Sequence, residues 1–185
     1  MEARTQAAGD TEDALDTFQD YELGEAAAAA RLAELEGLYR RSHAEPRLAV
    51  LLARAWNRVS FEFILDAHEQ ALELGDKPNA AYHLARARAG FERAMYFADS
   101  WLGTKDGRFA ELVKVPAEFG PYLSKAFGSD SAGALLFGGV ARVGYASTSP
   151  DPAHASNVRR VGRMMLERAE ILAPSLLPGL ADLFI

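Results

Sequence analysis

Alanine dominates this chain, and that excess limits its fold more than any other feature of the sequence. The 185 residues include 35 alanines but only eight valines, three isoleucines and five threonines. Alanine has the highest helix propensity, whereas strands are built mainly from β-branched and aromatic residues. We therefore predict an all-α protein.

Charge and missing motifs exclude several classes of function. The net charge of -6 argues against a nucleic-acid partner, because phosphate binding needs a basic surface. The chain has no cysteine, which excludes disulfide frameworks, iron–sulfur clusters and thiol nucleophiles. It also lacks a Rossmann glycine fingerprint, a phosphate loop and a G-x-S-x-G elbow. We therefore predict a binding protein that is not an enzyme, without a metal site or a cofactor.

Apolar spacing and helix breakers divide the chain into five helices. Residues 1–11 are expected to be a disordered lead, and residues 12–185 a single helical domain. The predicted helices cover residues 11–41, 46–74, 80–101, 131–146 and 156–172, with one or two short helices between residues 103 and 131. The apolar end, residues 175–185, indicates either a truncated domain or a partner that covers this end.

Glycine is concentrated in the fourth predicted helix, at Gly133, Gly138, Gly139 and Gly144. A glycine costs about 1 kcal/mol in a helix interior. We therefore expect these residues to allow close approach of a neighbouring backbone, or the segment to be irregular.

A repeated spacing of small, large apolar and small residues suggests paired helices. It occurs twice, as Ala87, Phe91 and Ala94 before a breaker at Asp99, and as Gly162, Leu166 and Ala169 before Pro174. This spacing is typical of tetratricopeptide-like repeats, in which small residues let two antiparallel helices approach. We predict antiparallel hairpins with degenerate repeats of this kind, and an irregular helical bundle is the alternative.

Aromatic residues recur in the middle helices and predict an aromatic-lined groove between hairpins. A lone arginine lies within the otherwise apolar stretch from Ser131 to Ser149, where it could bind a ligand carboxylate. The candidate residues for ligand or partner binding are Trp56, Phe63, Tyr82, Phe97, Trp101, Phe137, Arg142 and Tyr145.

Phe61 and Phe63 present a separate question. Two residues correspond to about 200° of helical turn, so these rings lie on opposite sides of the second helix. Either that helix is sandwiched between two neighbours, or one ring meets a ligand or a second subunit.

Several segments together resemble one known family. In order, these are Leu35-Glu36-Gly37-Leu38-Tyr39 with Leu51-Leu52-Ala53-Arg54-Ala55-Trp56, then Ala85 to Ala94, Ala134 to Phe137, Met165 to Leu172, and Gly179 to Phe184. The segments resemble the TatT family, the T components associated with TRAP transporters, over residues 22–185. Phe137 and Arg142 stand where that family has tryptophans.

The resemblance implies a function that composition alone does not. It implies cryptic tetratricopeptide-like repeats in a periplasmic, lipoprotein-anchored accessory subunit. Such a subunit is expected to partner the substrate-binding protein of a TRAP transporter and to take an apolar or organic-acid ligand; a homo-oligomer is left open. Because the sequence contains no lipoprotein signal, the alternative is a cytoplasmic tetratricopeptide-like adaptor that binds peptides.

Overall fold

The computed structural model describes residues 19–42 and 45–176, and all regular secondary structure in these residues is helical. The helices are α1 (Tyr21–Arg41), α2 (Pro46–Arg58), α3 (Leu65–Glu73), α4 (Lys77–Lys105), α5 (Phe109–Leu112), α6 (Pro116–Ala126), α7 (Ala132–Thr148) and α8 (Pro152–Leu172). A π-helical turn, Val59–Ile64, joins α2 to α3, and a 3₁₀ turn, Ser129–Ser131, precedes α7. The prediction of an all-α protein is confirmed. The predicted lead, residues 1–11, and most of the apolar end lie outside the described residues.

Aspartate side chains cap three of the long helices. Those of Asp20, Asp76 and Asp151 accept hydrogen bonds from backbone N–H groups in the first turns of α1, α4 and α8. Proline follows two of these caps in the first turn, at Pro78 in α4 and Pro152 in α8. The predicted starts at residues 80 and 156 were therefore too late, because proline is tolerated in the first turn of a helix.

Helix α4 lies at the centre of the fold and contacts α2, α3 and α7. Short connections make successive long helices antiparallel: residues 42–45 join α1 to α2, residues 74–76 join α3 to α4, and residues 149–151 join α7 to α8. Helix α1 packs on α2 and runs parallel to α4. The antiparallel pairing agrees with the predicted hairpins. That these hairpins are tetratricopeptide-like repeats stays a prediction.

Glycines bring α7 close to its neighbours. A Cβ atom on Gly139 would lie 2.9 Å from the carbonyl oxygen of Gly162 in α8, and a Cβ on Gly162 would lie 2.9 Å from the carbonyl oxygen of Gly139. On the α4 side, a Cβ on Gly144 would lie 2.5 Å from the ring of Phe91. Real side chains do not approach this closely, so the predicted close approach of a neighbouring backbone is confirmed at Gly139, whereas Gly133, Gly138 and Gly144 face side chains. The segment is a regular helix, which excludes the alternative of an irregular segment.

The π-helical turn carries Phe61 and Phe63 between two neighbouring helices. The ring of Phe63 packs edge-on against Tyr21 of α1, with centroids 5.4 Å apart. The ring of Phe61 packs against Phe91 of α4 at 4.6 Å. Of the two outcomes, the sandwiched helix is the one observed.

Both copies of the small–large–small spacing face the core. Ala87, Phe91 and Ala94 are fully buried. Their counterparts in α8, Gly162, Leu166 and Ala169, are also buried. Asp99, however, does not end its helix, since α4 continues to Lys105. The prediction that Asp99 is a breaker was therefore wrong. Its carboxylate instead forms an ion pair with Arg142 of α7. Within the described residues, no helix has the length and hydrophobicity needed to cross a membrane.

Candidate functional site

A cleft of about 570 Å³ opens between α4, α7, α8 and the segment that joins α5 to α6. We call it the α4–α7–α8 cleft. Its walls are mainly apolar, with polar and charged side chains at a few points. It is lined by Glu92, Met95, Asp99, Val113, Lys114, Pro116, Arg142, Tyr145, His154, Asn157, Val158 and Val161. Its volume is in the range of small-molecule sites in proteins.

Arg142 and Asp99 form the most deeply placed ion pair of this cleft. Nη2 of Arg142 donates to both carboxylate oxygens of Asp99, at 2.8 and 2.7 Å. Nη1 donates to the backbone oxygen of Gly138 at 3.1 Å. The arginine side chain is 5% exposed, whereas that of Asp99 is 32% exposed. The carboxylate therefore lies nearer to solvent, and the charge of Arg142 is already balanced from within the chain.

Tyr145 and His154 meet on another wall of the cleft. Their rings pack edge to face with centroids 5.8 Å apart, and thereby connect α7 to the first turn of α8. With Asn157 and Lys114, they supply hydrogen-bonding groups to an otherwise apolar wall. The charges of the lining balance, since Glu92 and Lys114 add one of each sign to the internal pair. This arrangement suits a mostly apolar ligand with one polar group.

A second space, of about 880 Å³, lies between α1 and α4. We call it the α1–α4 groove; it is lined by Ala29, Leu32, Ala33, Glu36, Arg40, Trp56, Val59, Ile64, Arg86, Ala89, Gly90 and Arg93. Nε and Nη2 of Arg93 donate to the two carboxylate oxygens of Glu36, at 2.9 and 2.7 Å. Trp56 donates its indole N–H to the same carboxylate at 3.1 Å. The hydrogen bonds from Arg93 hold the pKa of Glu36 below its usual range, against the opposing effect of burial.

A third space, of about 630 Å³, is bounded by the start of α2, the end of α4 and the start of α7. Trp101 contributes to its lining, although only 6% of this residue is exposed. Lys105 spans part of it to reach Asp130 at 2.7 Å and also lies over the indole of Trp101, 5.0 Å from its centroid. Lys105 therefore already contacts two of the other residues that line this space, Asp130 and Trp101.

The predicted binding residues are divided among these three spaces and the core. Arg142 and Tyr145 lie together in the α4–α7–α8 cleft, while Trp56 and Trp101 line the other two spaces. The remaining four line none of the three. Phe63, Phe97 and Phe137 pack in or against the core, and Tyr82 is 59% exposed beside His83 and Arg86. Whether any of the eight contacts a ligand or a partner stays a prediction.

Sequence analysis did not identify several residues of the α4–α7–α8 cleft. A buried arginine needs a counter-charge, so Arg142 by itself implies a carboxylate partner. Nothing in the sequence indicates that this partner is Asp99, which lies on another helix. Lys114, His154 and Asn157 carry no motif and are not among the predicted binding residues.

The chain matches the model of a known protein family. The family model described as TRAP transporter T-component matches residues 17–185, which is most of the chain. No curated protein matches the chain. Within residues 19–42 and 45–176, no three histidine, aspartate or glutamate side chains are grouped in a way that could hold a metal ion.

Proposed function

We propose that this chain, which belongs to the TRAP transporter T-component family of accessory transporter subunits, has two binding functions. It binds a ligand in the α4–α7–α8 cleft, and it binds a protein partner of the transporter. The ligand is an apolar molecule with one polar end. The protein partner is the transporter's substrate-binding protein. The subunit acts in the periplasm and is anchored as a lipoprotein, as the resemblance implies.

One observation carries the ligand class. The deepest charge in the cleft, Arg142, is paired with Asp99 through two short hydrogen bonds. A ligand carboxylate would have to displace Asp99 from Arg142 or share the arginine with it, although Asp99 is part of the same chain and already in place. The free energy available to a ligand therefore comes mainly from burying apolar surface, at about 25 cal/mol per Å².

The polar end of the ligand has other groups to meet. Tyr145, His154, Asn157 and Lys114 line the cleft outside the internal ion pair. An alcohol or an acid can satisfy them, so an organic acid is bound through these groups and not through Arg142. This refines the prediction that Arg142 supplies the charge for a carboxylate.

Octanoate and 1-octanol test the ligand class, because they differ only in their polar end. We expect calorimetry to detect both, with octanoate less than about tenfold tighter. Replacing both members of the ion pair, in D99N/R142M, removes no net charge and should leave the ratio of the two affinities unchanged. Binding of octanoate alone, lost in D99N/R142M, would contradict the proposal and restore a direct role for the arginine.

Two variants of α8 test where the ligand binds. Val158 lines the cleft and is partly buried, so V158W should fill the cleft and weaken octanol binding by about tenfold or more. Arg160 is exposed on the same helix outside the lining, and R160W should bind as the unmodified chain does. Equal affinities in the two variants would place the ligand elsewhere.

The protein partner is tested separately. The chain and the substrate-binding protein of its transporter should co-elute in size-exclusion chromatography, and a labelled sample should give a saturable binding curve. Absence of a complex up to about 100 µM would contradict the proposed partner. It would leave the ligand measurements unaffected.

A further inference from the structure

We propose that the α1–α4 groove is a docking site for an acidic amphipathic helix of a partner protein. The proposal stands apart from the α4–α7–α8 cleft and does not depend on the identity of the partner. Two parallel helices form the walls of the groove, and α2 with the π-helical turn forms its floor. Leu32 and Trp56 contribute apolar surface at the base.

The groove has the dimensions of a short helix. Its lining extends along α1 from Ala29 to Arg40, which is about 16 Å, or three helical turns, at 1.5 Å per residue. The facing wall of α4 carries Ala89, and α1 carries Ala33 as well as Ala29. Short side chains on both walls allow a third helix to lie close to the floor, as in other helix-in-groove complexes.

The charge of the groove specifies an acidic occupant. Its lining contains three arginines, Arg40, Arg86 and Arg93, but one acidic residue, Glu36. Glu36 is engaged by Arg93 and by the indole N–H of Trp56. Arg40 and Arg86 are exposed, and neither forms an ion pair with a carboxylate in the described part of the chain. In a chain with a net charge of -6, this groove is a local excess of positive charge.

The positions of the arginines set the pattern of the partner. Arg93 already donates to both carboxylate oxygens of Glu36, so the two arginines left for a partner are Arg86 on the α4 wall and Arg40 on the α1 wall. A complementary helix therefore carries an apolar stripe with carboxylates on both flanks.

A designed peptide tests this pattern directly. The probe is an amphipathic helix of about 18 residues with a leucine and alanine stripe and glutamates on both flanks. Two controls replace every glutamate with glutamine, or keep the composition and scramble the order. We expect fluorescence anisotropy to show that the glutamate peptide binds the full chain about tenfold more tightly than either control. Raising the salt concentration should weaken its binding.

Matched charge variants locate the site. R40E/R86E reverses the two exposed cations of the groove and should weaken binding of the glutamate peptide by about tenfold or more. R159E/R160E makes the same change in net charge at exposed positions of α8, outside the groove, and should bind as the unmodified chain does. A33W, which fills the groove without changing charge, should also weaken binding.

Two possible results of these measurements would contradict the proposal. Circular dichroism checks that each variant keeps the helical content of the unmodified chain. If the glutamate peptide binds no more tightly than its glutamine or scrambled control, the groove does not recognise an acidic amphipathic helix. If R40E/R86E and R159E/R160E bind it equally, the helix binds elsewhere. Either result overturns the proposal.

Discussion

The α4–α7–α8 cleft and the α1–α4 groove are each bridged by an arginine–carboxylate pair, but in very different surroundings. In the cleft, Arg142 pairs with Asp99, and the arginine side chain is 5% exposed. In the groove, Arg93 pairs with Glu36, and the arginine side chain is 38% exposed. The arginine is therefore the more buried member of the pair in the cleft, whereas in the groove the carboxylate is, since Asp99 is 32% exposed and Glu36 14%. Removing the carboxylate leaves a buried cation in the cleft but a cation that water can reach in the groove.

The two regions also differ in how their helices approach. Gly139 and Gly162 bring the backbones of α7 and α8 together, so that region is closed by main-chain contact. Helix α1 has no such contact at its own central glycine, since a Cβ on Gly37 would meet only the end of the Arg41 side chain, 4.0 Å away. Between α1 and α4 the contacts are made by side chains, and Gly90 on the α4 wall of the groove packs closely on Ser60 of the π-helical turn and not on α1.

The largest expected effect comes from removing the counter-charge of the buried arginine. D99N should lower the free energy of unfolding by about 3 kcal/mol, because Arg142 would remain buried without a carboxylate. Urea denaturation followed by circular dichroism measures this loss. The double variant D99N/R142M removes both charges and should recover most of it. If D99N costs no more than the corresponding change in the groove, the contrast between the two regions is wrong.

A glycine-to-alanine substitution should have opposite signs in the two regions. G162A places a methyl group 2.9 Å from the carbonyl oxygen of Gly139, and we expect it to cost about 2 kcal/mol through overpacking. G37A, in the interior of α1, should instead stabilise the protein by up to about 1 kcal/mol through helix propensity.

Thermal unfolding of both variants checks this prediction. G103A is a further control, because this position in α4 has no atom within 4 Å of the added Cβ. A stabilised G162A would show that the α7–α8 contact adjusts easily, and would remove the structural basis of the comparison.

The smallest effect is expected at the half-exposed pair. E36Q should lower the free energy of unfolding at neutral pH by about 1 kcal/mol, because Arg93 can still be hydrated. R93M/E36Q should cost little more than E36Q alone. A loss as large as that of D99N would indicate that the groove is as sensitive as the buried cleft.

The effect of E36Q should also depend on pH. Hydrogen bonds from Arg93 lower the pKa of Glu36 from its ordinary value of 4.5. A lowered pKa means that the stabilisation is present above the ordinary value and is lost as the pH falls through the lowered one. The difference between E36Q and the unmodified chain should therefore be largest near neutral pH and decrease as the pH falls below the ordinary pKa of a glutamate. A difference that does not change with pH would mean that the ionised carboxylate is not what stabilises the pair.

Much of the fold was predictable from the sequence, and the errors of that prediction have local causes. The excess of alanine and the breaker clusters gave the helices, including a nearly continuous second helix over Pro46–Glu73. The π-helical turn within that helix was not predicted, whereas the position of Phe61 and Phe63 on opposite sides of the helix was. The starts of α4 and α8 were predicted too late because Pro78 and Pro152 were assigned to the segments before these helices, although Pro46 was placed correctly at the start of α2.

The candidate site was predictable in part. Arg142 stood out because a charge in an apolar helix is costly unless it is paired. Its partner lies 43 residues away on α4, and no spacing rule connects the two. The aromatic residues were predicted as one set, although the structure distributes them over several spaces and the core.

By itself, the sequence determined which segments are helical and that glycine would allow one close helix contact. These properties depend on backbone hydrogen bonds and on residues within a turn or two of each other. The tertiary structure decided that Asp99 neutralises Arg142, that Tyr145 meets His154, and that a groove with an excess of arginine separates α1 from α4. Clefts and ion pairs of this kind form between helices that are distant in sequence, so they depend on how the whole core packs.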